Sequence, residues 1–390
     1  MNDSNLLIEP VPAGWVNHQF GDVCDRVKDS YKPEEGGVIP YIGLEHLAQG
    51  FPTFVDRGTE SDIKSSKTAF KVGDILFGKL RPYLRKGAQA DFDGICSTDI
   101  LVFRSKDRCE SDFLKFLIHS DQFIDHAKST TSGVQHPRTS WLSLKEFHLS
   151  LPPLPEQKKI AHILSTVLRA IESQERIIQT TTELKKALMH KLFTEGLRDE
   201  PQKQTEIGLV PESWEVVPFD KFATLQRGYD LRKQDFREGP VPVIGATQVI
   251  GYHDKANVKA PGVTVVRSGS SAGKPLFISK DFWAHNVLLF VKDFHGNVPK
   301  FVYYKILALD LTQYRQGVAV PTLNRNTFST IELGLPSPGE QQEIADALDS
   351  VENKTAIAER KRTHIQDLFR TLLHELMTAK TRVHELGITA

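Results

Sequence analysis

The chain has 390 residues, of which 39% are hydrophobic and 25% are charged. That length and composition are typical of a globular protein with two domains. The 49 basic and 49 acidic residues balance, which argues against nucleic-acid binding through overall charge alone and leaves it to local patches. No apolar run approaches the roughly 20 residues that cross a bilayer.

The N-terminus and the cysteines favour a cytoplasmic protein. The opening residues lack the basic-then-apolar layout of a secretory signal. Cys24, Cys96 and Cys109 form no CxxC pair, so neither a disulfide framework nor a zinc site is expected. A reducing cytoplasm is the natural compartment for such a chain.

The first segment, about 13–150, contains short β-type runs bounded by glycine, proline and aspartate. DILFGKL and DILVFRS are two of them, and such runs predict strands. The run 78–87 carries four cations and a tyrosine. Cations neutralise phosphates, and guanidinium, amide and hydroxyl groups read base edges, although a solvated loop is the plain alternative. The candidates for nucleic-acid contact here are Lys79, Arg81, Tyr83, Arg85, Lys86, Gln135, His136, Arg138 and Thr139.

A long amphipathic helix is predicted from 151 to 194, and it occurs twice. The first copy opens LPPLPEQKKIAHILSTV, and the second, at 335–378, opens LPSPGEQQEIADALDSV. The copies lie 184 positions apart, as Glu156 and Glu340 do, and they align without a gap. A duplicated helix of this length indicates a molecule built as two halves.

The second segment, about 212–334, repeats the ends of the first and differs from it in the middle. Both end in a Gly-Val-x-x-Pro loop that starts at Gly133 and Gly317, and VTVVRSG and VLLFVKD predict two further strands. Shared ends with dissimilar middles suggest one fold that carries two different recognition surfaces. The candidates for nucleic-acid contact in this segment are Arg227, Tyr229, Arg232, Arg267, Ser268, Ser270, Lys274, Thr322, Asn324 and Arg325.

Apolar residues recur along both helices in alternating steps of four and three, which is the spacing of a coiled-coil seam. The seam turns polar in the middle, for example at Thr181, Lys185 and Arg362. We expect the helices to pair, most simply antiparallel across a pseudo-two-fold axis, as a rigid spacer of roughly 60 Å. A plain two-helix core is the alternative, and it is compatible with a spacer. The seam residues are Ile160, Leu164, Val167, Ile171, Leu188, Leu192, Ile344, Leu348, Val351, Ile365, Leu372 and Leu376.

The sequence lacks the motifs of an enzyme. GSSAGKP at 269–275 has one residue too few between its glycines for a phosphate loop, and a proline replaces the magnesium-binding hydroxyl. His374 and Glu375 are not followed by the second histidine of a zinc-protease helix. Neither a nucleophile elbow nor a methyltransferase motif is present. We therefore expect no catalytic residue, no metal and no cofactor on this chain.

Four stretches make the chain resemble the specificity (S) subunits of type I restriction–modification systems. They are LPPLPEQKKIAHIL, HKLFTEGL, TEIGLVPESWEVVP and LPSPGEQQEIADAL. The resemblance implies two target-recognition domains, each reading one half of a bipartite double-stranded DNA target. It implies that the helices set the half-site spacing and dock two methyltransferase subunits, and that restriction subunits join the full complex. It also implies that S-adenosylmethionine, ATP and magnesium are bound by those partners.

The predicted fold is α+β, with two α/β target-recognition domains separated by two long helices. The predicted segments are a recognition domain at 1–150, a helical spacer at 151–197, a linker and second recognition domain at 198–334, and a second spacer with a C-terminal tail at 335–390. The second helix departs from the first at Gly339, in place of Pro155, and at Arg362, in place of Ile178. These departures make the helix pair less symmetric than a strict repeat.

Two other classes of protein stay open on the sequence alone. A coiled-coil scaffold joining two non-DNA domains would have the same helices, and co-purification with an adenine methyltransferase would distinguish it. An autonomous nuclease or ATPase would require the motifs that are missing, and an assay of the isolated chain would exclude it.

Overall fold

The structure, a computed structural model, describes residues 11–317, 320–329 and 331–383, without the side chain of Asp62. The chain divides into two compact units, of which unit 1 comprises 1–174 and 361–390 and unit 2 comprises 175–360. The ends of the first and last predicted segments (1–10 and 384–390) and residues 318, 319 and 330 lie outside the described residues. No described helix is long and apolar enough to cross a membrane.

Unit 1 consists mainly of short strands followed by helices. Its elements in chain order are β1 (Val16–Gln19), α1 (Phe20–Val23), β2 (Cys24–Val27), β3 (Ser30–Tyr31), β4 (Pro40–Ile42), β5 (Gly58–Thr59), β6 (Lys67–Phe70), β7 (Ile75–Gly78), β8 (Gly87–Gln89), β9 (Gly94–Cys96), β10 (Ile100–Ser105), α2 (Ser111–Leu117), α3 (Asp121–Ser129), α4 (Trp141–Leu144), β11 (His148–Leu151) and α5 (Leu154–Thr194), which continues into unit 2.

The strands of unit 1 form three sheets, with the orders β1-β11, β2-β10-β7-β8 and β3-β6-β9-β4-β5. The predicted strands in DILFGKL and DILVFRS are confirmed as β7 and β10, which pair antiparallel with Leu101 opposite Phe77. Because both runs are apolar without alternation, they are buried on both faces, as a central strand must be. The parallel pair β4–β9 makes the third sheet mixed.

Unit 2 repeats most of this order. Its elements are β12 (Gln202–Thr205), β13 (Gly208–Pro211), β14 (Glu215–Pro218), α6 (Phe219–Phe222), β15 (Thr224–Arg227), β16 (Val241–Gly245), β17 (Gln248–His253), β18 (Gly262–Val266), β19 (Pro275–Ile278), β20 (Trp283–Ala284), β21 (Leu288–Asp293), α7 (Pro299–Ala308), β22 (Glu332–Leu335) and α8 (Pro338–Met377), which continues into unit 1.

The sheets of unit 2 correspond to those of unit 1. The order β15-β21-β18-β19 matches β2-β10-β7-β8, and β14-β22 matches β1-β11. The parallel pair β16–β20 matches β4–β9, with Ile244 beside Ala284 as Ile42 is beside Cys96. The predicted strands in VTVVRSG and VLLFVKD are confirmed as β18 and β21. The two units are therefore copies of one α+β arrangement, as the duplicated ends of the sequence predicted.

The two long helices run antiparallel, and the contacts within each unit show it. In unit 2, Lys185 of α5 lies 3.0 Å from Glu352 of α8, while Thr181, one turn earlier on α5, accepts a hydrogen bond from Thr355, which is later on α8. In unit 1, the first half of α5 and the last part of α8 share one hydrophobic core with α2 and α3. The helix pair is thus part of the core of each unit.

The seam residues of both helices are at least partly buried. Ile160, Leu164, Ile171, Leu192, Ile344, Leu348, Val351 and Leu376 are buried, and Val167, Leu188, Ile365 and Leu372 are half-buried. The boundary between the two compact units falls after Gln174 within α5 and after Arg360 within α8. Each unit therefore combines one β-rich body with part of both helices, whereas the four predicted segments separate bodies from helices. Those segment bounds stay a prediction.

Candidate nucleic-acid interface

Two loops of unit 1, 79–85 and 132–139, are hydrogen-bonded to each other and form what we call the unit 1 loop pair. Arg81 N donates to Pro137 O at 2.8 Å, and Thr139 N donates to Lys79 O at 3.1 Å. Lys79 N donates in turn to Asp99 O at 2.9 Å, which fixes the first loop to the segment before β10. The loops that the sequence singled out separately therefore form one surface.

Two loops of unit 2, 267–273 and 316–323, form an equivalent loop pair. Gly269 N donates to Pro321 O at 2.9 Å, and Leu323 N donates to Arg267 O at 2.7 Å. Arg267 N donates to Val287 O at 2.8 Å. Each donor and acceptor stands 188 or 184 positions after its counterpart in unit 1, so the same backbone frame holds both surfaces.

The two frames also share backbone conformation. Arg81 (φ 51°) and Arg85 (φ 49°) of unit 1 are left-handed, and the corresponding positions in unit 2 are glycines, Gly269 (φ 94°) and Gly273 (φ 88°). Glycine adopts this conformation without strain, whereas other side chains resist it. Unit 1 therefore places an arginine at two positions where the frame favours glycine.

The exposed candidates of unit 1 lie on this surface. Arg81, Tyr83, Gln135 and His136 are exposed, and Lys79 is half-buried. Among the described residues, no side-chain hydrogen bond or ion pair occupies the amino group of Lys79 or the guanidinium of Arg81. These two cations are the ones that remain available to a phosphate or a base edge.

Four other candidates of unit 1 make contacts inside the unit. Arg85 donates to Asp121 at 2.5 Å and to His119 O at 3.0 Å, and Lys86 donates to Leu44 O at 2.6 Å. Arg138 is paired with Asp99, and the buried Thr139 shares a hydrogen bond with Thr130. The sequence could not show these partners, because most lie more than 30 positions away.

The candidates of unit 2 divide in the same way. Arg227, Tyr229, Ser270, Lys274, Asn324 and Arg325 are exposed, and Arg267, Ser268 and Thr322 are half-buried. Arg232 is exposed but forms an ion pair with Asp235 at 2.8 Å. Arg325 donates one hydrogen bond to Leu225 O at 3.0 Å, and Asn324 accepts one from Asn326 N.

The segment that holds Arg227 and Tyr229 lies beside the unit 2 loop pair. Gly228 N donates to Leu288 O at 2.9 Å, and Tyr229 N donates to Ala284 O at 2.8 Å. Val287, between these acceptors, receives the hydrogen bond from Arg267. The fold thus brings together candidate DNA-contacting residues that are about 40 to 100 positions apart in the sequence.

Carboxylates neutralise three of the candidate arginines, Arg85, Arg138 and Arg232. The hydrogen bond from Arg138 lowers the pKa of Asp99, and the one from Arg232 lowers the pKa of Asp235. Burial raises the pKa of Asp121, but Arg85 and His374 outweigh it and the net pKa lies below its usual range. These carboxylates are therefore ionised at neutral pH and neutralise their partners, so fewer cations face outwards than the sequence suggests.

No cluster of histidine, cysteine and carboxylate side chains that could hold a metal ion occurs in the described part of the chain. Its three cysteines are free and buried, and burial raises the pKa of Cys96 to about 12. These thiols stay protonated and belong to the core.

Comparison with known proteins gives a consistent result. A family profile described as "Type I restriction modification DNA specificity domain" matches residues 12–183 and 211–367. The "Type I restriction enzyme MjaVIII specificity subunit" of Methanocaldococcus jannaschii is 25% identical, over 97% of this chain and 95% of that protein. The "Type I restriction enzyme EcoDI specificity subunit" of Escherichia coli is 26% identical over 50% of this chain and 44% of that protein.

Solved structures share the fold. The S subunit of a type I restriction–modification system from M. genitalium has a TM-score of 0.65 at 16% identity, covering 93% of this chain and 96% of that one. A chain from a study of complex assembly and conformational transition in a type I R-M system has a TM-score of 0.54 at 17% identity, covering 94% and 98%.

The fold defines a duplicated protein that presents two like loop surfaces from two units joined by long helices. With a family profile matched over most of its length, the chain belongs to the type I restriction–modification DNA specificity domain family. The family resemblance carried by the four sequence stretches is confirmed, and the role of this class of chain is to give the system its DNA sequence specificity.

Proposed function

We propose that the unit 1 and unit 2 loop pairs each read one half of a bipartite DNA target. The observation that carries the proposal is the repeated backbone frame, which presents different side chains in the two units at equivalent positions. Side chains at base edges supply sequence discrimination, and phosphate contacts supply orientation and affinity. Two frames with different side chains are what two different half-sites require.

In this function, DNA methylation and cleavage are catalysed by partner subunits. Two methyltransferase subunits dock on the helices, restriction subunits complete the complex in the cytoplasm, and S-adenosylmethionine, ATP and magnesium are bound by those partners. This chain contributes no catalytic residue. Its zero net charge leaves much of the electrostatic attraction to the partners, so the isolated chain binds DNA weakly. Tight, salt-sensitive binding by the isolated chain would contradict this part of the proposal.

To test the proposal, the chain is expressed with its methyltransferase subunit, and methylated adenines are mapped across a genome. The wild-type complex methylates one bipartite sequence with a fixed gap. Lys79→Ala with Arg81→Ala relaxes one half-site only, and Arg267→Ala relaxes the other only. Lys71→Ala, an exposed lysine outside the loop pair, is the matched control and changes neither. Methylation at single half-sites, or relaxation of both halves by either variant, would contradict the assignment.

The spacer role has its own test. Inserting a few residues into α5 after Thr181 lengthens that helix by about 1.5 Å per residue. The gap between half-sites then changes, while both half-site sequences remain. If the insertion altered the bases of a half-site instead, the helices would not be the spacer.

A further inference from the structure

The glutamine that opens each long helix is fully buried and holds three segments together. Gln157 Nε2 donates to Pro152 O at 2.9 Å and to Arg108 O at 3.0 Å, and its Oε1 accepts from Glu110 N at 2.9 Å. Pro152 follows β11, and Glu110 immediately precedes α2. This one side chain therefore ties α5 to the end of β11 and to the start of α2.

Gln341 makes the corresponding contacts in unit 2, with one side-chain acceptor in place of a backbone carbonyl. Its Nε2 donates to Pro336 O at 3.0 Å and to Asn297 Oδ1 at 2.7 Å, and its Oε1 accepts from Val298 N at 2.9 Å. Pro336 follows β22, and Val298 immediately precedes α7. The contact set is therefore repeated element by element in the two units.

The preceding glutamate joins two further segments at the same place. Glu156 accepts from Trp15 Nε1 at 3.3 Å and from Arg382 at 3.0 Å. Glu340 accepts from Trp214 Nε1 at 3.3 Å and from Leu197 N at 2.9 Å. Trp15 stands just before β1 and Trp214 just before β14, and Arg382 and Leu197 each follow the end of the other long helix. The Glu-Gln pair is thus a joint between the body and both helices.

We infer that the two Glu-Gln joints are positioning elements that fix the angle between each long helix and its β-rich body, and through that angle the gap between half-sites. The inference rests on the proposed function, in which the helices are the spacer. α5 has 41 residues and spans about 60 Å. A rotation of about 10° at one end displaces the other by about 10 Å, or about three base-pair steps at ~3.4 Å each.

The residue types fit this role. A primary amide supplies two donors and an acceptor, and both Gln157 and Gln341 use all three. Glutamate would lose both donated hydrogen bonds and bury a charge, and a side chain that only filled the core would require none of these bonds. The three bonds reach two segments, one after the last strand and one before α2 or α7, so they fix orientation as well as depth.

The experiment uses the full chain with its methyltransferase. Gln157→Glu and Gln341→Glu are compared with Gln179→Glu and Gln342→Glu, which change exposed glutamines on the same helices. Methylated sites are sorted by half-site sequence and by gap length. We expect unchanged half-sites and an increase of about tenfold or more in methylation at gaps one base pair longer or shorter than the wild-type gap. The control variants keep the wild-type gap.

A milder pair of variants covers the case in which the buried charge prevents folding. Trp15→Phe and Trp214→Phe each remove one hydrogen bond to the joint and keep a buried, though smaller, aromatic side chain. They are expected to broaden the gap distribution in the same direction by a smaller factor. An unchanged gap distribution in whichever variants accumulate overturns the inference, even if total methylation falls. If the wild-type chain itself gave no bipartite methylation, the proposed function would fail instead.

Discussion

Arg138 donates two hydrogen bonds to the carboxylate of Asp99, from Nε to Oδ1 at 2.8 Å and from Nη2 to Oδ2 at 3.3 Å. Asp99 also holds the backbone of Lys79, so the pair connects both loops of the unit 1 loop pair. In unit 2 the equivalent positions carry Thr322 and Val287, which form no ion pair. The unit 1 surface is therefore braced by an ion pair that has no counterpart at the equivalent positions of unit 2, where Arg315 Nε instead donates to Ala272 O at 2.6 Å.

Removing this brace should affect recognition more than stability. Both side chains are partly exposed and the ion pair is screened by solvent, so Arg138→Ala should lower the free energy of unfolding only slightly. Because the pKa of Asp99 is lowered from its ordinary 3.8, the pair's contribution is complete above that pH and is lost as pH falls through the lowered value. Methylation mapping should show relaxed specificity at one half-site only, and a relaxed second half-site would contradict the prediction.

Arg81 and Arg85 should behave differently despite being four positions apart. If Arg81 contacts a phosphate, Arg81→Ala reduces the slope of log affinity against log salt by about 0.9 and leaves stability unchanged. Arg85→Ala removes the contacts to Asp121 and His119, so it lowers the free energy of unfolding by about 1 kcal/mol and leaves the salt slope unchanged. DNA titrations of the methyltransferase complex, together with urea unfolding, measure both. Equal salt slopes for the two variants would refute the distinction.

Lys305 should be a destabilising residue at neutral pH. It is 6% exposed, its amino group faces the rings of Phe193 and Trp214, and burial lowers its pKa from 10.5 to about 8. Below pH 8 the folded chain keeps a buried charge at a cost on the order of 3 kcal/mol. Between about pH 8 and 10.5 the unfolded chain binds more protons, so the stability of unit 2 should rise with pH over that window.

Lys305→Leu tests this pH dependence. Leucine is chosen because aligning Phe113 of α2 with Phe301 of α7 places Leu117 of unit 1 at the position of Lys305. The variant should be more stable at pH 7, and its stability should lack the rise between pH 8 and 10.5. Leu117→Lys is the reverse change and should destabilise unit 1. An unchanged pH profile in Lys305→Leu would show that another group causes the rise.

Tyr304 supplies a hydroxyl that unit 2 requires and unit 1 does not. Its oxygen lies 2.5 Å from Asp349 Oδ1 and 2.6 Å from Glu352 Oε2, so these two carboxylates share its one proton. The equivalent Phe116 packs against Phe369. Burial, followed by these hydrogen bonds to carboxylates, raises the pKa of Tyr304 and keeps it a donor. Tyr304→Phe should lower the free energy of unfolding by about 2 kcal/mol. Phe116→Tyr should also be destabilising because its hydroxyl enters an apolar cluster, and a neutral result for both in urea unfolding would refute the argument.

Much of the fold could be predicted because its signals are local. The repeat, the helix period and the apolar runs of β7, β10, β18 and β21 all lie within short stretches of sequence. The antiparallel helix pairing followed from the seam. The polar middle of that seam, however, suggested weak pairing of the helices. In the structure, Thr181 and Lys185 form hydrogen bonds there with Thr355 and Glu352.

The candidate site was less predictable because its geometry depends on distant residues. No local pattern indicated that Asp121 would neutralise Arg85 or that Leu44 O would accept a hydrogen bond from Lys86, since those partners are 36 and 42 positions away. Thr139 was also predicted to contact nucleic acid at the surface, whereas its side chain is buried. The shared length of the 79–85 and 267–273 loops was a usable signal, because aligned left-handed positions at Arg85 and Gly273 follow from it.

The repeated backbone frame of the loop pairs has an evolutionary consequence. Because the hydrogen bonds of the frame use main-chain atoms, side chains on it can be exchanged without rebuilding the surface. Under the proposed function, a mutation at Lys79 or Arg267 would alter a preferred base in one step, while the backbone frame of the unit is spared. The left-handed positions 81 and 269 restrict this freedom, since they tolerate glycine best. If the loop pairs read the half-sites as proposed, a few substitutions would suffice for a new target, and the two halves would diverge independently.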